Sequence, residues 1–272
     1  TSLIWNNYHF LLFITAFITI YFFYESMSYE MDTVSFTFAV FIFTTTQYFY
    51  YFGIVRLGIA ASIVAYSLRF IKEGKNKSFI LWVLFATMFH YSAVVSFILL
   101  FVNFSKNEYI KKSNVIKIII LIPVFLFLGR LVSNYTLGKY PRYAGYFDEF
   151  QLFNFSTIVW FLPFLLLFSL YYLNSKSFVK TYHFYYIMFI IRLGLDAFGG
   201  IIGISRMMWY FNISLVFLLP LTMKKSRNII IKYLLFVLII FFCFYYSYCS
   251  YFGDSFHGST MIPYKNVFFD LY

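Results

Sequence analysis

Four arginines are the side chains that point most directly to chemistry, because each lies beside or within a long apolar run. They are Arg56, Arg130, Arg192 and Arg206. An ionisable group at membrane depth is costly, so it is rare unless it has a partner or a task. A guanidinium group binds phosphate oxygens through two parallel hydrogen bonds. We therefore interpret each arginine as a candidate for binding an anion.

Arg56 and Arg206 occupy similar places, each at the start of a predicted helix. Arg56 opens a helix in which Gly58 and Ser62 have the small-xxx-small spacing that lets a second helix approach closely. Arg206 follows a glycine-rich break and precedes Tyr210. We predict that the two arginines clamp a diphosphate together. The alternative is that they anchor helix ends at the lipid headgroups.

A histidine and an ion-pair spacing provide further candidates. His90 lies in the middle of the apolar segment 79–102. Histidine titrates near neutral pH, which suits a general base or a donor to phosphate. The alternative for a lone membrane histidine is an interhelical hydrogen bond. Arg192 and Asp196 are four residues apart, so they share one helical face, and we predict a structural ion pair.

The polar loop 133–151 combines aromatic rings with charged groups, among them Arg142, Tyr143, Tyr146 and Asp148. Tyrosine offers a flat apolar face with a hydroxyl at its tip, which suits the C–H faces and hydroxyls of sugar rings. The loop is longer than most connections, so we predict that it has a function in sugar binding. The alternative is an aromatic belt at the membrane interface.

The elements that must position these residues are membrane helices. Of the 272 residues, 62% are hydrophobic and 26% aromatic, and the mean hydropathy is +0.78, which is too apolar for a soluble domain. We predict one transmembrane domain over residues 1–272, an all-α polytopic integral membrane helical bundle of about eight to ten membrane segments. The segments predicted from the apolar windows are 8–24, 34–52, 54–71, 79–102, 115–132, 152–173, 182–199, 207–223 and 229–248.

Lysine clusters predict the orientation of these segments. They lie in the connections 72–77, 103–114, 174–180 and 224–228. Such clusters mark cytoplasmic loops, and they account for the net charge of +11 without a nucleic-acid partner. Segment 79–102 lies between two of these loops, although it has the length of one span. Either it is a re-entrant hairpin that turns near His90, or one loop departs from the rule. We favour the hairpin, whose turn would line an enclosed polar site.

Several kinds of chemistry have no motif in this chain. There is no glycine-rich phosphate loop, HExxH helix, GxSxG elbow or Asp-x-Asp pair. Cys243 and Cys249 are six residues apart, hence on different faces of one helix, and predict neither a disulfide nor a metal site. Few acidic residues lie in the predicted outer loops, which disfavours a cation-coupled transporter and a two-carboxylate glycosidase. We expect no metal and no cofactor.

Four stretches in order resemble the EpsG-like family of bacterial polysaccharide polymerases. They begin at Phe52-Gly-Ile-Val-Arg-Leu-Gly-Ile-Ala and continue with Phe89-His-Tyr-Ser-Ala, Gly203-Ile-Ser-Arg-Met-Met-Trp-Tyr-Phe and Pro263-Tyr-Lys. The resemblance spans most of the chain, and its first two stretches are the most specific. Leu57 stands where the family often has glutamine. Family members usually have a further N-terminal portion, and this chain does not begin with methionine, so we expect that a segment precedes it.

The resemblance implies a membrane glycosyltransferase that joins polyprenyl-diphosphate-linked oligosaccharide repeat units into capsular, exo- or O-antigen-type polysaccharide. It would act at the outer face of the bacterial plasma membrane, as a multi-pass protein, without metal or nucleotide sugar. The implied partners are the lipid-linked oligosaccharide, the bilayer and other membrane proteins of polysaccharide assembly. Two other functions stay open, a flippase or exporter of lipid-linked oligosaccharides and a membrane acyltransferase with His90 as its base.

Together these observations assign roles to nine residues. The candidate catalytic residues are His90 and Arg142. The candidate substrate-binding residues are the two arginines, four tyrosines and one lysine at Arg56, Arg206, Tyr143, Tyr146, Tyr210, Tyr264 and Lys265.

Overall fold

The computed structural model describes residues 8–102, 161–169, 180–197, 204–225 and 229–252. Every regular element within these ranges is helical, and no β-strand occurs among them. The predicted all-α fold is confirmed for this part of the chain.

The α-helices and the two 3-10 helices, η1 and η2, follow one another along the chain. They are α1 (Tyr8–Tyr29), α2 (Phe36–Thr46), α3 (Tyr48–Gly53), α4 (Val55–Lys72), α5 (Asn76–Phe89), η1 (Tyr91–Phe101), α6 (161–169), α7 (Lys180–Ala197), α8 (Ile204–Met207), η2 (Met208–Phe211), α9 (Ile213–Lys225) and α10 (Ile229–Phe252).

Two helices of the described chain are long and apolar enough to cross a membrane. They are Phe10–Tyr29 within α1 and Ile229–Cys249 within α10. Helices α4 and α7 also have 18 residues each, but each contains three charged residues. The described helices do not establish the predicted number of about eight to ten segments, and the segment 115–132 lies outside the described residues.

Two of the predicted apolar segments each contain two helices. The segment 34–52 breaks at Gln47, between α2 and α3, and the segment 79–102 breaks at His90, between α5 and η1. Gln47 has φ −130° and ψ −33°, while His90 is extended, with φ −150° and ψ 114°. The break at His90 lies where the hairpin was predicted to turn. The break at Gln47 was not predicted, although three threonines precede it in the sequence.

Helices α1, α4 and α5 pack together and position Arg56 and His90. Helices α1 and α4 run parallel, because Ser26 donates a 3.0 Å hydrogen bond to the carbonyl of Ala65 and Glu30 pairs with Lys72 further along both helices. Helix α5 returns antiparallel to α4 after a tight turn at Gly74. There φ is +75°, which glycine adopts without steric cost.

Charged side chains gather at one end of this bundle. Lys72 forms a buried ion pair with Glu30, and the hydroxyl of Tyr185 donates a 2.9 Å hydrogen bond to the same carboxylate. Lys224, near the end of α9, donates to two backbone carbonyls of the α1–α2 connection. We call this the lysine end. Lysines from two predicted cytoplasmic clusters thus lie together, as the positive-inside pattern predicts.

The opposite end of α4 and α5 carries the residues with predicted chemistry. Arg56 is at the first turn of α4, and His90 follows the last residue of α5. Helix α8, which contains Arg206, contacts η1, and η1 contacts both α4 and α5. We call this the arginine end.

A small residue sets the distance between α3 and α4. A methyl group added at Gly58 would lie 2.7 Å from the backbone oxygen of Tyr51 and 3.0 Å from its Cβ. The close helix approach predicted from the small-residue spacing is therefore confirmed at Gly58. This contact brings the start of α4, which carries Arg56, close to α3.

Replacing Gly58 with alanine should push α3 away from α4, because backbone atoms cannot rotate aside. We expect a loss of about 1–3 kcal/mol of stability, measured as a lower unfolding temperature in detergent. Ser62→Ala is the matched control, since Ser62 is buried on the same helix and its hydroxyl donates only to the carbonyl of Ile59. Equal unfolding temperatures for Gly58→Ala and Ser62→Ala would contradict the close approach.

Candidate functional site at the arginine end

The arginine end contains a hydrogen-bonded group of three side chains. His90 stands at the break between α5 and η1, and Ser92 lies in the first turn of η1. The hydroxyl of Ser92 lies 2.6 Å from His90 Nδ1 and 3.0 Å from the hydroxyl of Tyr210. The Tyr210 hydroxyl lies 3.3 Å from His90 Nδ1. Ser92 and Tyr210 thus both contact Nδ1 of His90. Nε2 forms no hydrogen bond with a described residue, so a substrate can contact it.

Arg56 and Arg206 approach this group from two other helices. Both side chains are exposed, and both positive charges act on the His90 imidazole. Neither forms an ion pair with a carboxylate of the described chain, whereas Arg69 pairs with Glu25 and Arg192 with Asp196. Neither charge is therefore neutralised by a carboxylate within the described chain.

The 3-10 helix η2, which carries Tyr210, is held by two side chains from the α2–α3 region. The hydroxyl of Tyr51 donates a 2.9 Å hydrogen bond to the carbonyl of Trp209. The amide of Gln47 donates a 2.8 Å hydrogen bond to the carbonyl of Asn212. Both donors are buried. These bonds fix the backbone on either side of Tyr210.

Arg192 holds the same turn from α7. Its Nε donates a 2.6 Å hydrogen bond to Asn212 Oδ1, and a terminal nitrogen lies 3.4 Å from the carboxylate of Asp196. The guanidinium carbon lies 3.9 Å from the centre of the Phe161 ring, and only 3% of the residue is exposed. The predicted ion pair with Asp196 is confirmed. Arg192 also ties α7 to the turn that follows Arg206.

The structure describes four of the nine predicted site residues, and these four lie together. They are Arg56, His90, Arg206 and Tyr210. The other five site residues lie outside the described residues, as does Arg130. These five are Arg142, Tyr143, Tyr146, Tyr264 and Lys265. The catalytic and binding roles of all nine stay predictions.

Three residues of this region were missed by sequence reasoning. Ser92 is two residues after His90, and its position in the Phe-His-Tyr-Ser-Ala stretch was a usable signal. Gln47 and Asn212 are single amides within predicted membrane segments. A lone amide at membrane depth needs a hydrogen-bond partner, so each could have been predicted to have a distant one.

The described residues contain no cluster of three or more histidine, cysteine, aspartate or glutamate side chains placed to hold a metal ion. Cys243 is buried and Cys249 is partly exposed, and neither forms a disulfide within the described chain. Among the described residues, the arginine end offers guanidinium, imidazole and hydroxyl groups.

The described residues form an apolar, all-helical bundle of the kind found in membrane proteins, with two exposed arginines at one end. The sequence model of the EpsG family matches residues 1–266, and the chain belongs to the EpsG family. No curated protein matches the chain. No solved structure matches it either.

Removing the side chain of Asn212 should weaken the turn that carries Tyr210. In Asn212→Ala the Nε donor of Arg192 stays buried and loses its acceptor, which should cost about 2 kcal/mol. The unfolding temperature in detergent measures this loss. Ser214→Ala is the control two residues away, because Ser214 is buried and its hydroxyl has no partner in the described chain. We expect that control to be neutral. Equal effects of the two substitutions would show that Asn212 does not hold the turn.

Proposed function

We propose that this protein is a polysaccharide polymerase that transfers a growing glycan from its polyprenyl diphosphate carrier to another lipid-linked oligosaccharide repeat unit. The observation that carries the proposal is that two arginines, Arg56 and Arg206, lie close enough to His90 for their charges to act on it, and that neither pairs with a carboxylate of the described chain. Membership of the EpsG family supports the same class of reaction. The polymer would be capsular, exo- or O-antigen-type polysaccharide.

The site would face the outer side of the plasma membrane. The lysine end carries Lys72 and Lys224, and clusters of this kind favour the cytoplasm. The arginine end then faces outward, where lipid-linked repeat units would be joined. The helix break at His90 supports a hairpin that enters from the cytoplasmic side and turns at the outer site.

The two arginines would bind the diphosphate of the donor. In the transfer, the bond between the anomeric carbon and the diphosphate oxygen breaks, and the diphosphate leaves with the bonding electrons. Negative charge therefore builds on an oxygen next to guanidinium groups, which stabilise it more strongly in the transition state than before it. Arg56 and Arg206 have no internal carboxylate to neutralise them in the described chain, which suits this role.

His90 would act as the general base. Its Nε2 accepts the proton of the acceptor hydroxyl while the oxygen forms the new glycosidic bond to the anomeric carbon. The contacts of Nδ1 with Ser92 and Tyr210 hold the ring in place. A proton on Nδ1, shared with the Ser92 oxygen, leaves the lone pair on Nε2. Sugars would be held by the tyrosines of loop 133–151 together with Arg142.

A direct test is elongation by the purified protein. It should lengthen a lipid-linked repeat unit with no nucleotide sugar and with a chelator present, and cells lacking the protein should accumulate single repeat units on the carrier. Normal long polymer in such cells would end the proposal. Loss of lipid-linked units from the outer face would instead favour a flippase, and transfer of an acyl group would favour an acyltransferase.

Substitution of the arginines separates anion binding from helix anchoring. Arg56→Ala and Arg206→Ala should each lower the elongation rate about a hundredfold, since the loss of one charge-assisted donor to the departing diphosphate costs about 3 kcal/mol. Lysine keeps the charge but loses the two-pronged geometry, so Arg56→Lys and Arg206→Lys should rescue only in part. The matched control is Arg69→Lys, at the lysine end. Wild-type polymer length from both site lysine variants would contradict the diphosphate clamp.

The role of Ser92 can be tested against a serine on the same helix. Ser92→Ala should lower kcat on the order of tenfold with little change in KM, because the base loses the hydroxyl that orients it. Ser96 lies four residues further along η1, and its buried hydroxyl has no partner in the described chain. Ser96→Ala should therefore retain full activity. Equal kcat values for the two variants would mean that Ser92 does not position the base.

A further inference from the structure

A buried polar cluster surrounds Asn212, just after η2, and the proposed reaction does not use it. The amide nitrogen of Gln47 donates a 2.8 Å hydrogen bond to the Asn212 carbonyl, and Arg192 Nε donates a 2.6 Å hydrogen bond to Asn212 Oδ1. Gln47 lies at the break between α2 and α3, and Arg192 lies on α7. Side chains from two distant parts of the chain therefore meet at one buried residue.

Each of these two side chains has one polar atom without a hydrogen-bond partner among the described residues. The atoms are Gln47 Oε1 and Arg192 Nη1, and each residue is only 3% exposed. Oε1 can only accept a hydrogen bond, and Nη1 can only donate one, so the two atoms are complementary. Buried polar atoms are nearly always paired with a protein group or with ordered water.

Neither atom can turn toward another protein group without breaking an existing contact. The planar amide of Gln47 is held through its nitrogen by the Asn212 carbonyl, which fixes the direction of Oε1. The planar guanidinium of Arg192 is held through Nε by Asn212 and through Nη2 by Asp196, at 3.4 Å from the carboxylate. A buried serine hydroxyl differs, because it can rotate to a carbonyl of its own helix.

We propose that ordered water binds between Gln47 and Arg192, where it accepts a hydrogen bond from Nη1 and donates one to Oε1. Water suits this pair because one molecule both accepts and donates, and a buried water makes about two to four hydrogen bonds. The water joins the α2–α3 break to α7, in addition to the direct bonds of both side chains to Asn212.

The charges around the cluster favour water over an ion. Asp196 pairs with the Arg192 guanidinium and offsets its charge, and the Oε1 of Gln47 carries a partial negative charge that repels an anion. A cation is repelled by the guanidinium itself. The side chain of Asp196 is 13% exposed, so the cluster lies within one side chain of the protein surface.

An experimental structure of the full chain in a lipid nanodisc, at a resolution that shows ordered water, tests this site directly. We expect water density about 3 Å from Gln47 Oε1 and from Arg192 Nη1. Absence of that density, or direct bonding of the two atoms to protein groups, would overturn the proposal. A second structure with bromide in place of chloride identifies an anion, and halide density at this position would also overturn the proposal.

A matched pair of substitutions tests the site in a bilayer. Solid-state NMR should show magnetisation transfer from water to the Arg192 guanidinium, and Gln47→Met, which removes the acceptor, should abolish it. Tyr51→Phe is the control. It also removes one buried hydrogen bond to the η2 region, the bond to the Trp209 carbonyl, but it keeps both partners of the water. Retained transfer in this control supports the site, whereas equal signals from the two variants would overturn it.

These outcomes do not depend on the proposed polymerase reaction, because neither measurement uses elongation. If Gln47→Met does not fold, the density in the wild-type protein decides the question by itself.

Discussion

The cost of placing charge in hydrocarbon is the constraint on which the rest of this structure depends. Lipid cannot solvate an ion, so each charge needs a protein partner or a place at an end of the bundle. Glu30 and Lys72 satisfy each other at the lysine end with help from Tyr185. Arg192 is buried and paired. Arg56 and Arg206 lie at the arginine end of the bundle, where both are exposed and neither has a carboxylate partner in the described chain.

The helices that carry Arg56 and Arg206 are positioned by packing and hydrogen bonds of neighbouring residues. Gly58 lets Tyr51 lie against α4, and Tyr51 bonds the backbone of η2. That short helix places Tyr210 within hydrogen-bond distance of Ser92, next to His90. Contacts between helices therefore determine how the His90 imidazole and the two guanidinium groups lie relative to one another.

The sequence was sufficient for the parts of this account that depend on residue type and spacing. Apolar windows predicted helices near those observed, the spacing of Arg192 and Asp196 predicted their ion pair, and small residues predicted the contact at Gly58. The partners of Gln47 and Ser92 could not be predicted, because Asn212 lies 165 positions from Gln47 and Tyr210 lies 118 positions from Ser92. Residue type indicates that a buried amide or hydroxyl needs a partner, but local spacing does not identify which distant residue provides it.

The central claim is that the diphosphate of a lipid carrier binds at the arginine end. An experimental structure of the protein with polyprenyl diphosphate tests it most directly. The account predicts diphosphate density within hydrogen-bond distance of both Arg56 and Arg206, with Nε2 of His90 facing the adjoining space. Diphosphate bound instead among the lysines near Glu30 and Lys72 would contradict it.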